Sequence, residues 1–522
     1  MRLQPNTTAI PQSMLADSID FPHNATETAV APTVRSHWPE WCTISLYTAL
    51  VAFAIPYHEP WADEAQAWQL ARSLSLPDLF HTYIRFEASP GLWYFLLWVL
   101  VHLHVGYTAM HWVCGAIAVT AAALLVFKAP FPRYLKLALP FTFFLLFQYA
   151  VVARNYVLAP MLMFLIAWCW KRSPALIALL LGLLGNVALH VSAISGGLAT
   201  VYLIQQIADG ALKDSRRRRQ LLLFLFILLS FYAFAIWTAY PPKALSGYMT
   251  YRLAESLSPF IWILAALLWG IWQPLQLSIF FWVAVVPCFI ARRRLFYLLP
   301  VLLFVGFCTV AHCNFWHVGL LVPTIITVFW ITWPAPGAVV GHSEKAGRIA
   351  MALLAVVQIA WSANAIWFDH FNAYSPDPET AQFLKPFVQQ GARIAITYWN
   401  DQEGHAFRAV GILPYFDHNI FVNMPDSFWS WANQNPTEDR FNAMLPSHPK
   451  IVLVETRNTG PVEPLKLDAP RFQSILNAGY NYVGRFCGSV PETIGSLRSS
   501  CHVVFEYSNA PLNPQAPAQA GH

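Results

Sequence analysis

Residues 215–240 read SRRRRQLLLFLFILLSFYAFAIWTAY. Four arginines, Arg216–Arg219, stand directly before an apolar run that continues to Tyr240. A helix needs about 17–25 mostly apolar residues to cross the hydrocarbon core of a bilayer, so this run is long enough to span. A basic flank of this kind is what cytoplasmic loops retain. Working outward in both directions, runs of the same character lie near 40–57, 109–127, 134–152, 156–170, 174–190, 191–208, 219–240, 274–291, 295–311, 315–333 and 349–367. The stretch 174–208 is too long for one span and is divided at His190. Composition agrees with this reading. The 522 residues are 57% hydrophobic and only 11% charged, where a soluble domain carries roughly 25%. Too few polar side chains remain to cover a water-soluble surface, which excludes an ordinary cytosolic enzyme. The 37 Phe, 22 Trp and 20 Tyr exclude a disordered chain. A net charge of +5 reflects loop topology here, and no nucleic-acid partner is expected. The eight Cys lack metal-ligand spacing, so no metal centre is indicated.

Two further apolar stretches, 91–104 and 260–272, are short for a crossing and suit helices lying in the interface. Charge asymmetry decides between the readings. With both stretches lying flat, Arg35, Lys128, Arg133, Lys136, Lys171, Arg172, Arg216–Arg219, Arg292–Arg294, Lys345 and Arg348 all fall on one side. The opposite loops then hold only Arg72, Arg85, Arg154, Lys243 and Arg252. The expected fold is therefore an α-helical polytopic membrane protein of eleven transmembrane helices plus two interfacial helices, N-terminus inside and C-terminus outside. Residues 1–39 are polar and rich in Pro, Thr and Ser, and read as a disordered cytoplasmic tail that carries the sequons at Asn6 and Asn24. Residues 40–369 form the membrane domain. From about residue 370 the composition becomes that of a small α/β extracytoplasmic domain, 370–510, before a loose tail, 511–522. Ser375-Pro376-Asp377-Pro378-Glu379 opens a helix, and Ala392–Tyr398 and Ile451–Val454 read as strands. Cys487 and Cys501 are the only cysteines there and can form one disulfide on an oxidising face.

The outer loops hold the chemistry. The first reads His58-Glu59-Pro60-Trp61-Ala62-Asp63-Glu64-Ala65-Gln66-Ala67-Trp68. Ionisable groups at membrane depth are expensive and usually functional. Asp63 can simply cap the helical stretch 65–74, with Glu64 solvated. The sharper reading makes the pair a general base at the water–lipid boundary. Next, Arg85-Phe86-Glu87 precedes the chain break at Ser89-Pro90-Gly91, which holds Glu87 at the interface as a substrate contact or as a partner of Arg85. Arg154, in Ala153-Arg154-Asn155-Tyr156, either snorkels or offers its planar fork to a phosphate. His190, His312 and His317 bring imidazoles to the same side, and Tyr156 stands beside Arg154.

This order of motifs resembles the polytopic glycosyltransferases of the C-type fold, which include the protein O-mannosyltransferases and the lipid A aminoarabinose transferase. The resemblance rests on Asp63-Glu64, on Ser89-Pro90-Gly91-Leu92-Trp93-Tyr94 where relatives often show His-Pro-Pro-Leu-Tyr-Tyr, and on Ala153-Arg154-Asn155-Tyr156-Val157-Leu158 where they often show Glu-Ala-Arg-x-Tyr-x-Leu. His312–Gly319 is similar to an Arg-His-His-Gly loop of some bacterial members. The resemblance covers roughly residues 40–370. It implies transfer of a hexosyl or pentosyl group, with inversion, from a polyprenyl-phosphate-linked sugar to an extracytoplasmic lipid, glycan or protein acceptor, in a bacterial inner membrane. It further implies Asp63 as the catalytic carboxylate with Glu64 as the adjacent alternative, and Arg154, backed by Lys243 and Arg252, against the donor phosphate. Glu87, Tyr156, His190, His312 and His317 become substrate contacts. Two departures stand out: Gly91 replaces the second Pro, and Val152 replaces the Glu before Ala-Arg. The second removes an expected carboxylate, so a divalent metal is possible but not indicated. Two other classes compete. A secondary transporter would more often show inverted repeats and helices broken near mid-membrane. A noncatalytic envelope-assembly protein would work through its C-terminal domain.

Overall fold

The computed structural model describes residues 36–87, 89–240, 263–264, 267–268, 270–271, 275–291, 294–311, 313–334, 341–398, 411–424, 428, 438–493 and 496–508. The tail 1–35 with Asn6 and Asn24, Lys243, Arg252, Arg292, Arg293, His312, half of 260–272 and the tail 511–522 lie outside the described residues. The fold is mostly helical. In chain order come α1 (Trp38–Ala54), α2 (Ala62–Ser73), α3 (Leu92–His102), α4 (Ala109–Lys128), α5 (Leu158–Cys169), α6 (Pro174–Gly185), α7 (Leu189–Ala208) and α8 (Ser215–Ala239). They are followed by α9 (Leu275–Ala291), α10 (Leu299–Cys308), α11 (Phe315–Val318), α12 (Leu321–Thr332), α13 (His342–Phe371), α14 (Asp377–Gln389) and α15 (Pro470–Asn477).

Among the described residues, five helices are long and apolar enough to cross a membrane: α4, α7, α8, α11–α12 taken together, and α13. They make this an integral membrane protein in kind. Shorter apolar helices stand where several other spans were expected, and α3, with 11 residues, is short as its sequence suggested. Two expectations need correction. The run 134–152 is not one helix: Arg133–Ala138 is helical, Pro140 sits in a 3-10 turn, Thr142 is extended, and Phe144–Gln148 forms a π-helical turn. Pro140 lacks the N–H that would continue the helix. Such irregular backbone is tolerated at membrane depth only where protein encloses it, and residues 143–153 are all buried. The run 174–208 breaks at Asn186–Ala188 rather than at His190, which lies in the first turn of α7. Asn186 Nδ2 donates to the Gly182 carbonyl in the last turn of α6, and also to the Phe231 carbonyl of α8, which ties the break to that helix.

The ends of the bundle differ in charge. Arg133 bonds Glu40 at the start of α1, and Phe131 packs its ring 4.8 Å from Trp333. Arg348, near the start of α13, lies 5.1 Å from that same indole, and Arg294 donates to the Thr332 carbonyl. Lys128 and Arg172 both face Trp168. At the opposite ends of α1, α4 and α13 stand His58, His111 and Asp369, which the site below brings together.

The C-terminal sheet has four strands, β1 (Ile394–Tyr398), β2 (Ile451–Thr459), β3 (Tyr480–Thr493) and β4 (Ser496–Tyr507), in the order β1-β2-β4-β3. β1 runs parallel to β2, and β4 is antiparallel to both of its neighbours. Alternation along β2 splits its side chains between two cores: Ile451 and Leu453 join the core of the bundle, and Val452 and Val454 pack with Phe472 and Ile475 of α15. Cys487 and Cys501 face each other across β3 and β4 and are disulfide-bonded. The sheet unit joins the first outer loop directly: Glu59 accepts from the Ser375 N–H at 3.0 Å, and Arg72 donates to the Leu413 carbonyl.

Candidate functional site

The two adjacent carboxylates of the first loop have different fates. α2 begins at Ala62, so Asp63 does not cap it; Glu64 does, accepting the Trp61 N–H on Oε2 at 3.0 Å. Helical geometry turns the neighbouring Asp63 away from that enclosure. Its side chain is 39% exposed and forms an ion pair with Arg154. Arg154 has extended backbone just before the 3-10 turn Asn155–Val157, which projects its side chain back toward α2. The guanidinium lies 5.9 Å from the Trp61 ring and 5.8 Å from the Tyr156 ring. Burial disfavours the charge on Arg154, but Asp63 outweighs it and holds the guanidinium pKa above its ordinary range.

Three more of the expected residues converge here. The Tyr156 ring meets the His317 ring edge-on at 5.5 Å, and His317 stacks on His190 at 4.2 Å. Asp63, Arg154, Tyr156, His317 and His190 thus form one continuous series of contacts drawn from four separate parts of the chain. Glu87 accepts a hydrogen bond from Gln66 of α2, and Arg85 bonds the Tyr240 carbonyl.

An apolar cavity of about 490 Å³ is lined by Phe80, Leu92, Phe95, Phe231, Phe234 and Trp237, with Gly91 and Asn186 on its wall. Its link to the polar groups is short. The Leu92 N–H bonds the Asn186 carbonyl, and Asn155, next to Arg154, bonds the Val187 carbonyl at 3.0 Å. Gly91 is needed at this wall because a Cβ there would overlap the Phe80 ring. The charged series and a pocket suited to hydrocarbon are thus joined through Asn155 and the Asn186–Val187 backbone.

Comparisons with protein-family models, with curated proteins and with solved structures give no match to this chain.

Glu64 belongs to a second, enclosed assembly. Its Oε1 accepts from the Ala153 N–H at 2.6 Å and lies 2.9 Å from His111 Nε2. Its Oε2 lies 3.6 Å from His58 Nε2, and His58 Nδ1 lies 3.1 Å from Asp369 Oδ2. Burial raises a carboxyl pKa, but His111 and His58 outweigh it and hold Glu64 well below the carboxylate range. Burial likewise favours neutral His58, yet Asp369 and Glu64 push its pKa up to about 10. His58, Glu64 and His111 each offer a ligand atom within 4.8 Å of the others, as do His190, Cys313 and His317. Cysteine spacing along the chain indicates no metal centre, and these donor sets are instead assembled from separate elements. His58, His111 and Asp369 were missed as site residues, although His58 and Asp369 both stand at span ends, where the rule that singled out Asp63 applies equally.

Proposed function

We propose that this chain is a membrane glycosyltransferase that moves a sugar from a polyprenyl-phosphate donor to an acceptor hydroxyl on the Asp63 face, with inversion. The observation that carries the reading is the part-exposed Asp63–Arg154 pair, with an apolar cavity linked to it through Asn155 and the Asn186–Val187 backbone. Asp63 takes the proton of the acceptor hydroxyl as its oxygen attacks the anomeric carbon. The bond from that carbon to the phosphate oxygen breaks, and the phosphate leaves with the electron pair. A well-placed base is worth roughly 10²–10⁴ in rate. Arg154 carries five N–H donors in a planar fork, so Nη1 can hold Asp63 while the remaining donors meet the leaving phosphate. The cavity accommodates the first isoprene units of the donor. His190, His317 and Glu87 are placed to contact the sugar or the acceptor. The enclosure of Glu64, at 0% exposed, supports Asp63 over its neighbour as the base. The orientation proposed with this chemistry puts the N-terminus inside and the sheet unit outside, where the Cys487–Cys501 bond is stable.

The test is sugar transfer from a polyprenyl-phosphate sugar by the purified chain in lipid. Asp63→Asn should lower transfer at least about a hundredfold with donor binding largely kept. Arg154→Ala should weaken donor binding and turnover together, because a charge-assisted phosphate contact is lost. Full activity in Asp63→Asn would sink the assignment.

A further inference from the structure

His58, Glu64 and His111 come from the loop after α1, the start of α2 and the start of α4, and they close on one point. Their exposures are 4%, 0% and 2%. Glu64 Oε2 lies 3.6 Å from His58 Nε2 and Glu64 Oε1 lies 2.9 Å from His111 Nε2, so the carboxylate faces both imidazoles. One ligand atom from each residue lies within 4.8 Å of the others, a grouping that can draw in to the spacing of about 3.3 Å set by bonds of about 2.0–2.1 Å to a tetrahedral ion. The surroundings are those of a built metal site. Asp369 engages His58 Nδ1 and so turns Nε2 inward, the carboxylate–histidine arrangement that orients metal ligands. Backbone N–H groups of Trp61 and Ala153 fix the Glu64 carboxylate.

Hydrogen bonding alone leaves this cluster incomplete. With Nδ1–H given to Asp369, His58 Nε2 is a buried acceptor, and it has no hydrogen-bond partner among the described residues. What faces it is another acceptor, the Glu64 oxygen. A proton on Nε2 would find that oxygen at 3.6 Å, beyond hydrogen-bond reach. Protonated, the nitrogen has only this loose ion pair among the described residues; neutral, it lacks a hydrogen-bond partner there, and buried polar atoms of this sort call for one.

We propose that His58, Glu64 and His111 bind a divalent transition cation of the zinc class, as a structural centre that fixes the start of the helix carrying Asp63. Two imidazoles and one carboxylate favour such an ion over magnesium or calcium, which prefer oxygen-only sets. Three protein donors leave the fourth tetrahedral position to a water molecule.

The experiment uses the full chain purified in detergent without chelator. Elemental analysis should find about one zinc-class ion per chain. Stripping with EDTA should lower the apparent Tm, and added Zn²⁺ but not Mg²⁺ should restore it. His58→Ala and His111→Ala should lose the ion, and His317→Ala should keep it. Asp369→Asn should retain the site with affinity weakened by about 10–100-fold. The wild-type stripping and reloading stand even if the alanine variants fail to fold. A metal-free wild type whose Tm ignores both EDTA and Zn²⁺ would overturn the proposal. So would an ion kept by His58→Ala and lost by His317→Ala, since it would then sit at His190, Cys313 and His317.

Discussion

Asp63 and Glu64 are one residue apart, yet their environments assign them different work. Glu64 is sealed and receives the N–H groups of Trp61 and Ala153 with His111 at its side. A glutamine in its place turns an NH₂ group toward at least one of these donors and removes the charge that balances two imidazoles. Breaking a buried ion network in this way costs about 3–5 kcal/mol, so Glu64→Gln should lower Tm markedly. Asp63 is 39% exposed and, among the described residues, accepts no backbone N–H of the kind that Glu64 holds, so Asp63→Asn should lower Tm less than Glu64→Gln does and still lose transfer. Measuring Tm and transfer together on both variants separates scaffold from base; an unfolded Asp63→Asn with an intact, inactive Glu64→Gln would reverse the roles. The sequence made Asp63 and Arg154 legible because each charge stands at a span end, where water thins out. It did not reveal the partners of Glu64. The members of a pair such as His58 and Asp369 are 311 residues apart, and no local pattern records that contact.

Helices and strands were legible where apolar periodicity runs unbroken, and less so where single residues interrupt it. Hydropathy sums over 134–152 do not register that Pro140 and Thr142 break the backbone. The strands β3 and β4 escaped because Gly484, Gly488 and Pro491 interrupt the alternation of β3, and cross-strand pairing rather than local pattern holds them. Packing between helices is equally specific. A methyl group on Gly197 of α7 would overlap the Pro300 backbone of α10, whereas nothing lies within 4 Å of a Cβ at Gly306 on α10. Gly197→Ala should destabilise by about 1–3 kcal/mol through overpacking. Gly306→Ala should hold or gain up to about 1 kcal/mol from helix propensity. Thermal unfolding of both in the same detergent decides, and equal Tm changes would count against the α7–α10 contact. In the sheet unit, burial pushes the imidazole of His502 down to about 3 from 6.5. Its Nδ1 bonds Thr380, and Asp377 Oδ1 at 3.7 Å from Nε2 favours the proton without forming a hydrogen bond. Enclosure wins, so the folded ring stays neutral. Between pH 6.5 and about 3 the unfolded chain binds a proton that the folded one refuses. The stabilisation is thus whole above 6.5 and falls on acidification by up to about 1.4 kcal/mol per pH unit. The Tm advantage of wild type over His502→Gln should shrink across that window; a pH-independent difference would show that His502 does not titrate on unfolding.

For the whole molecule, the strongest constraint is the separation of charge between the two ends of the bundle. At one end Glu40–Arg133, Phe131–Trp333, Arg348–Trp333 and Arg294–Thr332 form a connected series, so basic residues distant in sequence lie close together. At the other end lie Asp63, Glu64, His58, His111 and Asp369. α13, at 30 residues, runs from the Arg348 end to the Asp369 end, a length of about 45 Å, enough for the hydrocarbon core and both interfaces. Cytoplasmic loops retain Lys and Arg, so the basic end should face the cytoplasm and the Asp63 end the opposite side. The sheet unit follows α13 and bonds Glu59, which places it on the Asp63 side as well. Single cysteines can test this in a Cys42→Ser background, because Cys42 is the one exposed free thiol. A membrane-impermeant maleimide applied from outside should label cysteines at Lys385 and Glu463 in the sheet unit, and at Asp63. It should reach cysteines at Arg217 and Lys345 only after the membrane is opened. Labelling at Lys385 and Arg217 from the same side would break the charge argument at its root, since both ends of the bundle would then share one compartment.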